Sequence, residues 1–148
     1  MKKILIIHGP NLDLLGKREP GIYGKVSLAA INNNLKELAK KAKVSLKILQ
    51  SNHEGEIVDA IGQASKKFDA LIINPAAYTH TSIAIRDAIA AANIKTVEVH
   101  LSNIYAREEF RQTSLIAPVC VGQVSGFGAE SYYLAFAAIH NSLKTAKK

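Results

Sequence analysis

Apolar positions change their spacing repeatedly along this chain, and each change marks a new element. Ile4 to Ile7 form an unbroken apolar run, the signature of a short strand buried on both faces. Leu28, Ile31, Leu35, Leu38 and Ala42 then recur at three and four, with Ser27 placed to cap the helix this predicts. Val44, Leu46 and Ile48 alternate with Ser45 and Lys47, which predicts a strand with one solvated side. A second helical stripe runs through Ile57, Ile61, Ala64 and Phe68, and Asp69 to Asn74 reads as a further buried strand stopped by Pro75. Thr79 to Ser82 offer capping hydroxyls to a helix striped by Ile85, Ala88, Ile89 and Ala92. Thr96 to Leu101 predicts a fourth strand and Pro118 to Val124 a fifth. Gly126-Phe127-Gly128 turns the chain into a last helix through Tyr132, Phe136, Ile139 and Leu143.

Strands separated by single helices pair in parallel through right-handed crossovers. The expected fold is therefore a three-layer α/β/α sandwich, flavodoxin-like, with about five parallel strands in the order 2-1-3-4-5 and residues 1–148 as one domain. In such open sheets ligands bind beyond the carboxyl ends of the strands, where strand order reverses, here between the first and third strands. Three polar clusters fall at strand carboxyl ends: His8 to Asn11, Asn74 to Ser82, and His100 to Asn103.

The segment Gly9 to Gly24, GPNLDLLGKREPGIYG, follows the first strand without any helical or strand period. Long irregular loops in compact domains are commonly lids or binding loops, and Leu12, Leu14, Leu15, Ile22 and Tyr23 give this one apolar anchors. It is read as a lid over the carboxyl ends of the strands.

Charge and composition narrow the function classes. The formal charge of +7 comes largely from lysines scattered over predicted helix faces and the C-terminal tail, which reads as solvated surface. No aromatic ladder interleaves those lysines, so nucleic-acid binding is not the expected role. The single cysteine, Cys120, excludes an internal disulfide and any multi-cysteine metal site. The opening MKKILIIHG is too short and lacks the cleavage site for a signal peptide or membrane anchor, so a cytoplasmic protein is expected. A nucleotide or flavin binder of the same architecture would carry a phosphate-binding glycine pattern, and neither GxGxxG nor P-loop spacing occurs.

Several side chains combine into plausible chemistry. Glu98 and His100 stand two apart on a strand and so share a face. A carboxylate beside an imidazole raises its proton affinity and fixes its orientation, the arrangement of a general acid. On the lid, Arg18 lies five residues from Tyr23; a free phenol titrates near ~10, and a nearby guanidinium favours the phenolate. His80 sits among hydroxyls at a helix start, a candidate ligand for an anion or hydroxyl, whereas His8 reads as a satisfied core residue. Arg107 and Arg111 share a face if YAREEFR is helical, either to pair with Glu108 and Glu109 or to meet a carboxylate ligand.

GPNL at 9–12, REPGIYG at 18–24, NPAAYTHTSIAIRDA at 74–88 and EVHLSNIYAREEFR at 98–111, with GFG and SYYLA near the C-terminus, together resemble the type II 3-dehydroquinate dehydratases in order and length. That resemblance implies reversible dehydration of 3-dehydroquinate to 3-dehydroshikimate through an enolate, without metal or organic cofactor. It implies Tyr23 as proton acceptor, Arg18 as its stabilising cation, Asn11 holding a water against the enolate oxygen, and His100, backed by Glu98, as proton donor. Asn74, His80, Leu101, Ser102 and Arg111 match substrate-binding positions, and Asp87 matches a residue that reaches a neighbouring subunit's site in a family whose members form trimers assembled into dodecamers. This chain departs from the pattern in having Ala76-Ala77 where glycines are frequent, and His8 and Asp13 where amides are frequent.

Overall fold

A computed structural model of the chain describes residues 1–17 and 25–146. Five parallel strands form one sheet: β1 (Lys3–His8), β2 (Ser45–Gln50), β3 (Ala70–Asn74), β4 (Lys95–His100) and β5 (Gly122–Ser125), in the order β2-β1-β3-β4-β5. Four helices connect or follow them: α1 (Leu28–Ala42), α2 (Glu54–Lys67), α3 (Ile83–Ala92) and α4 (Glu130–Thr145). The register places Ile4 to Ile7 opposite Ala70 to Ile73, so the two apolar runs lie side by side at the sheet's centre.

Alternation along those central strands feeds two separate cores. Ile4, Ile6, Ala70, Ile72, Val97 and Val99 face α1 and α4, where Leu28, Ile31, Leu35, Tyr132, Phe136 and Ile139 close over them. Leu5, Ile7, Leu71 and Ile73 face the other way, onto Ile57 and Ile61 of α2 and Ile85 and Ile89 of α3. Strand side chains point alternately to opposite faces, so a run that is apolar throughout serves both layers.

The caps fall where the side chains predicted them. The Ser27 hydroxyl accepts from the Ala30 amide at the start of α1, and the Ser82 hydroxyl accepts from Ile85 at the start of α3. Lys43 and Asn93 end α1 and α3 in the left-handed conformation, each returning an amide to the last turn. No helix among the described residues is long and apolar enough to cross a membrane.

Two expectations need correcting. The fifth strand begins at Gly122 rather than Pro118, because Ala117–Val119 closes as a 3-10 turn with proline near its start. The Arg107 and Arg111 segment is not a helix: it folds as two short 3-10 turns, Ile104–Ala106 and Glu109–Arg111, with Arg107 extended between them. Neither stretch carries the repeated apolar stripe that sustains a helix by tertiary packing.

Immediately after β3, Ala76 adopts φ 53, the left-handed region that costs an L-residue with a Cβ about 1–2 kcal/mol. Glycine would relieve that strain at an entropic cost of about 0.5–1 kcal/mol in the unfolded chain. The variant Ala76→Gly is therefore expected to raise Tm by about 2 °C in differential scanning calorimetry, whereas Ala77→Gly, which lacks the positive φ, is expected to lower it.

Candidate active site

The reversal of strand order between β1 and β3 is also the place where two backbones come closest. The Gly9 amide donates to the Asn74 carbonyl at 2.7 Å, and a Cβ on Gly9 would stand 2.5 Å from the Pro75 carbonyl oxygen. Only glycine fits there. Beyond it Asn11 takes the left-handed conformation at φ 66, tolerable for asparagine, and its amide donates to Asn52 Oδ1 at 3.0 Å. Gln50 donates to the same Asn52 oxygen and to the Gly9 carbonyl, so the end of β2 braces the turn. Leu12 and Leu15 bury themselves in the core beside α1 and anchor the described part of the 9–24 segment.

A cavity of about 220 Å³ opens at this end of the sheet. Asn11, Asn74, His80, His100, Leu101, Ser102 and Arg111 line it together, with Leu12, Leu14 and Ile104 forming apolar wall. Arg107 lines it as well. Glu98 stands directly behind His100, and Asp87 lies exposed on α3, apart from the cavity of its own chain. Arg18 and Tyr23 lie outside the described residues. Among the described residues no three His, Cys, Asp or Glu side chains gather as a metal would need.

Hydrogen-bond direction assigns what the cavity presents. His80 Nδ1 is 2.8 Å from the Thr113 carbonyl, which can only accept, so Nδ1 carries the proton and Nε2 of the neutral ring is left as an acceptor. Asn74 Oδ1 accepts from the Ala76 amide, leaving the NH2 group as the donor. Behind it, the Tyr132 hydroxyl lies 2.7 Å from His8 Nδ1, while His8 Nε2 donates to Asn32 Oδ1 at 2.8 Å. The direction of this relay follows: Tyr132 donates to His8, and His8 to Asn32. Burial pushes the Tyr132 phenol well up and lowers His8 to about 4, so both stay neutral across the working pH range.

On the opposite wall, Glu98 is wholly buried, with its Oε2 at 3.4 Å from His100 Nε2. Its Oε1 accepts from Thr79 Oγ1 at 2.5 Å and Ser114 Oγ at 2.6 Å, and its Oε2 accepts from the Gln123 amide. Burial alone would push this carboxyl up, but the hydrogen bond and charge of His100, with the Ser114 and Thr79 hydroxyls, outweigh it and hold the group below its usual value. The pairing of Glu98 and His100 was visible in their spacing; the donors Thr79, Ser114 and Gln123 were not. They come from three separate segments, and Thr79 resembled an ordinary capping residue.

Cationic side chains close the cavity's rim. Arg107 Nε and Arg111 Nε approach the same Glu108 oxygen at 3.8 and 3.4 Å, the first of the two pairings open to them from the sequence. Arg111 Nε is buried without a hydrogen bond of good geometry, and the guanidinium carbon lies 5.1 Å from the centre of the Phe110 ring. Both guanidinium groups border the cavity, which suits it to a small molecule bearing a carboxylate.

With this geometry in place, the comparisons with known proteins are specific. Residues 2–140 match the family described as dehydroquinase class II. The chain is 61% identical over 141 residues to a 3-dehydroquinate dehydratase of Trichodesmium erythraeum (strain IMS101), covering 95% of this chain and 94% of that protein. A protein of the same description from Nostoc sp. (strain PCC 7120 / SAG 25.82 / UTEX 2576) is 60% identical over 141 residues, covering 95% of this chain and 96% of its own. The crystal structure of a type II dehydroquinase from Butyrivibrio crossotus DSM 2876 superposes with a TM-score of 0.91 at 46% identity, covering 95% of this chain and 97% of that one.

The depressed His8 value makes stability depend on pH. An unfolded histidine titrates near 6.5 and the folded one at about 4, so between those values the unfolded chain binds more protons and stability falls as pH falls. The loss is on the order of 3 kcal/mol across that window, since each pK unit is worth ~1.4 kcal/mol. Denaturant unfolding at pH 7.0 and 4.5 is expected to show a drop that is distinctly smaller in His8→Asn; equal drops would remove His8 as its source.

Proposed function

The chain belongs to the class II dehydroquinase family, and on that premise we propose that its cavity dehydrates 3-dehydroquinate to 3-dehydroshikimate, the hydro-lyase step of the shikimate pathway. One observation supports this reading above others: Asn74, His80, His100 and Arg111 converge on one cavity, with the buried Glu98 carboxylate 3.4 Å from the imidazole. Loss of a hydroxyl β to a ketone needs a base, an enolate stabiliser and an acid at different points around one ring.

Tyr23 is the proposed base, removing a proton beside the ketone as its phenolate, with Arg18 stabilising that phenolate and the charge that develops. The electron pair left on carbon delocalises onto the ketone oxygen, giving an enolate that Asn11 stabilises through a held water. Collapse of the enolate expels the β-hydroxyl, and His100 delivers the proton that lets it leave as water. Glu98 holds the imidazole in place for that transfer.

Recognition follows from the polarity of the walls. Asn74 offers N–H to a substrate oxygen, and the neutral His80 ring offers Nε2 to a substrate hydroxyl. Ser102 and the Leu101–Ser102 backbone border the same space, and Arg111 meets the ring carboxylate. Asp87, exposed on α3, is proposed to act in a neighbouring subunit's site within a dodecamer built as a tetramer of trimers, and the protein is proposed to work in the cytoplasm.

Mixing the purified protein with 3-dehydroquinate is expected to give the ultraviolet absorbance of a conjugated enone, and its absence overturns the reading. Tyr23→Phe and His100→Ala are each expected to lower kcat by at least 10²-fold, in line with loss of a general base or acid, while circular dichroism stays unchanged. A Tyr23→Phe enzyme with near-normal turnover removes the phenolate from the scheme. Chelator is expected to leave the wild-type rate unaltered.

A further inference from the structure

Glu98 is reached by Ser114, a residue that borders neither the cavity nor the proposed reacting atoms. Its hydroxyl has one proton and two lone pairs. The Ile116 and Ala117 amides donate to the oxygen at 3.1 and 2.9 Å, so the proton goes to Glu98 Oε1, 2.6 Å away. Ser114 is thus fully committed, and it locks the backbone of residues 114–117 to the carboxylate.

The neighbouring residues are tied to the opposite side of the site. The Thr113 carbonyl holds His80 Nδ1 at 2.8 Å, and the Leu115 amide donates to the Thr79 carbonyl at 2.8 Å. Thr79 itself donates to Glu98 Oε1, and its Oγ1 lies 3.4 Å from Ser114 Oγ. Ile116, fully buried in the core beside α2 and α3, anchors the far end of the segment. Three consecutive residues, 113 to 115, therefore fix a substrate-binding imidazole, the carboxylate behind the acid, and the turn Ala76–His80 between them.

We infer that Ser114 is a positioning residue: through one hydroxyl it sets the carboxylate that orients His100, and through its own backbone segment it sets the tautomer and placement of His80. Catalysis by a held acid depends on its alignment to within a fraction of an ångström, so loss of a remote tether is felt at the reacting atoms. Substrate grip and proton delivery are then coupled, because one side chain braces both. The inference rests on the dehydration reading above.

The test compares Ser114→Ala and Ser114→Thr with wild type on 3-dehydroquinate. In Ser114→Ala, kcat is expected to fall about 10-fold and KM to rise about 3-fold, while Ser114→Thr, which keeps the hydroxyl, recovers most of both. Glu98 loses one of its donors in Ser114→Ala, so its carboxylate takes up a proton at higher pH and the acidic limb of kcat/KM is expected to move upward. A merely structural role would lower Tm and leave kcat, KM and the pH profile of the folded enzyme within 2-fold of wild type; that result overturns the inference. A wild-type protein without turnover instead defeats the dehydration reading. If Ser114→Ala fails to fold, Ser114→Thr with a 10-fold loss of kcat and intact folding overturns the inference equally, since the hydroxyl would be present without effect.

Discussion

Glu98 carries a carboxylate with no exposed surface, and placing an unanswered charge there costs several kcal/mol. The fold answers it from three directions at once: a turn after β3 supplies Thr79, the segment before β5 supplies Ser114, and β5 supplies Gln123. Each donor belongs to a different stretch of chain, so the cost of leaving any one of them unmade falls on the same carboxylate. The walls of the cavity are consequently held to one another through a group that does not itself line it. His100, among the described residues the only partner of Glu98 that does, inherits its position from this arrangement.

A second constraint sets where the cavity lies. β1 and β3 run side by side and their connections leave toward opposite edges of the sheet, so a crevice opens between the chain after His8 and the chain after Asn74. The Gly9 amide and the Asn74 carbonyl close its floor at 2.7 Å, an approach that any side chain at position 9 would block. Above that floor the two faces differ in kind. On one side the Tyr132, His8 and Asn32 relay is neutral throughout and the Asn74 amide presents a donor of fixed direction, whereas the other side carries the buried Glu98 carboxylate against His100. In the proposed reaction a cyclic hydroxy acid set between them meets recognition on one wall and proton transfer on the other.

Much of this was legible in the residues alone. The apolar run of β1, the stripes of α1 and α2 and the capping serines sit where period and cap chemistry placed them, and the strand order followed from the alternation of elements. Glu98 and His100 were recognisable as a pair because a two-residue spacing on a strand has one geometric meaning. What escaped is what depends on partners far apart in the chain. Thr79 looked like a cap and is a buried donor; Ser114 and Gln123 carried no signal that singled them out; Ala76 gave no sign of its positive φ beyond standing where glycine is frequent. The stretch from Ile104 to Val119 misled for a related reason: its short turns are closed by local backbone bonds and pinned by isolated buried residues, Ile104 and Ile116, so no apolar period reports them.

The ionised state of the buried carboxylate is the quantity on which the alignment of His100 turns. It can be read directly by following the side-chain carboxyl carbons of glutamate-labelled protein by 13C NMR across pH, with the Glu98 signal assigned as the one missing from Glu98→Gln. The hydrogen-bonded cage predicts that this signal remains that of a carboxylate below the pH at which the exposed glutamates protonate. A Glu98 signal that turns to the protonated form at or above neutral pH would contradict it, leaving His100 beside a neutral acid with no charge to hold its proton.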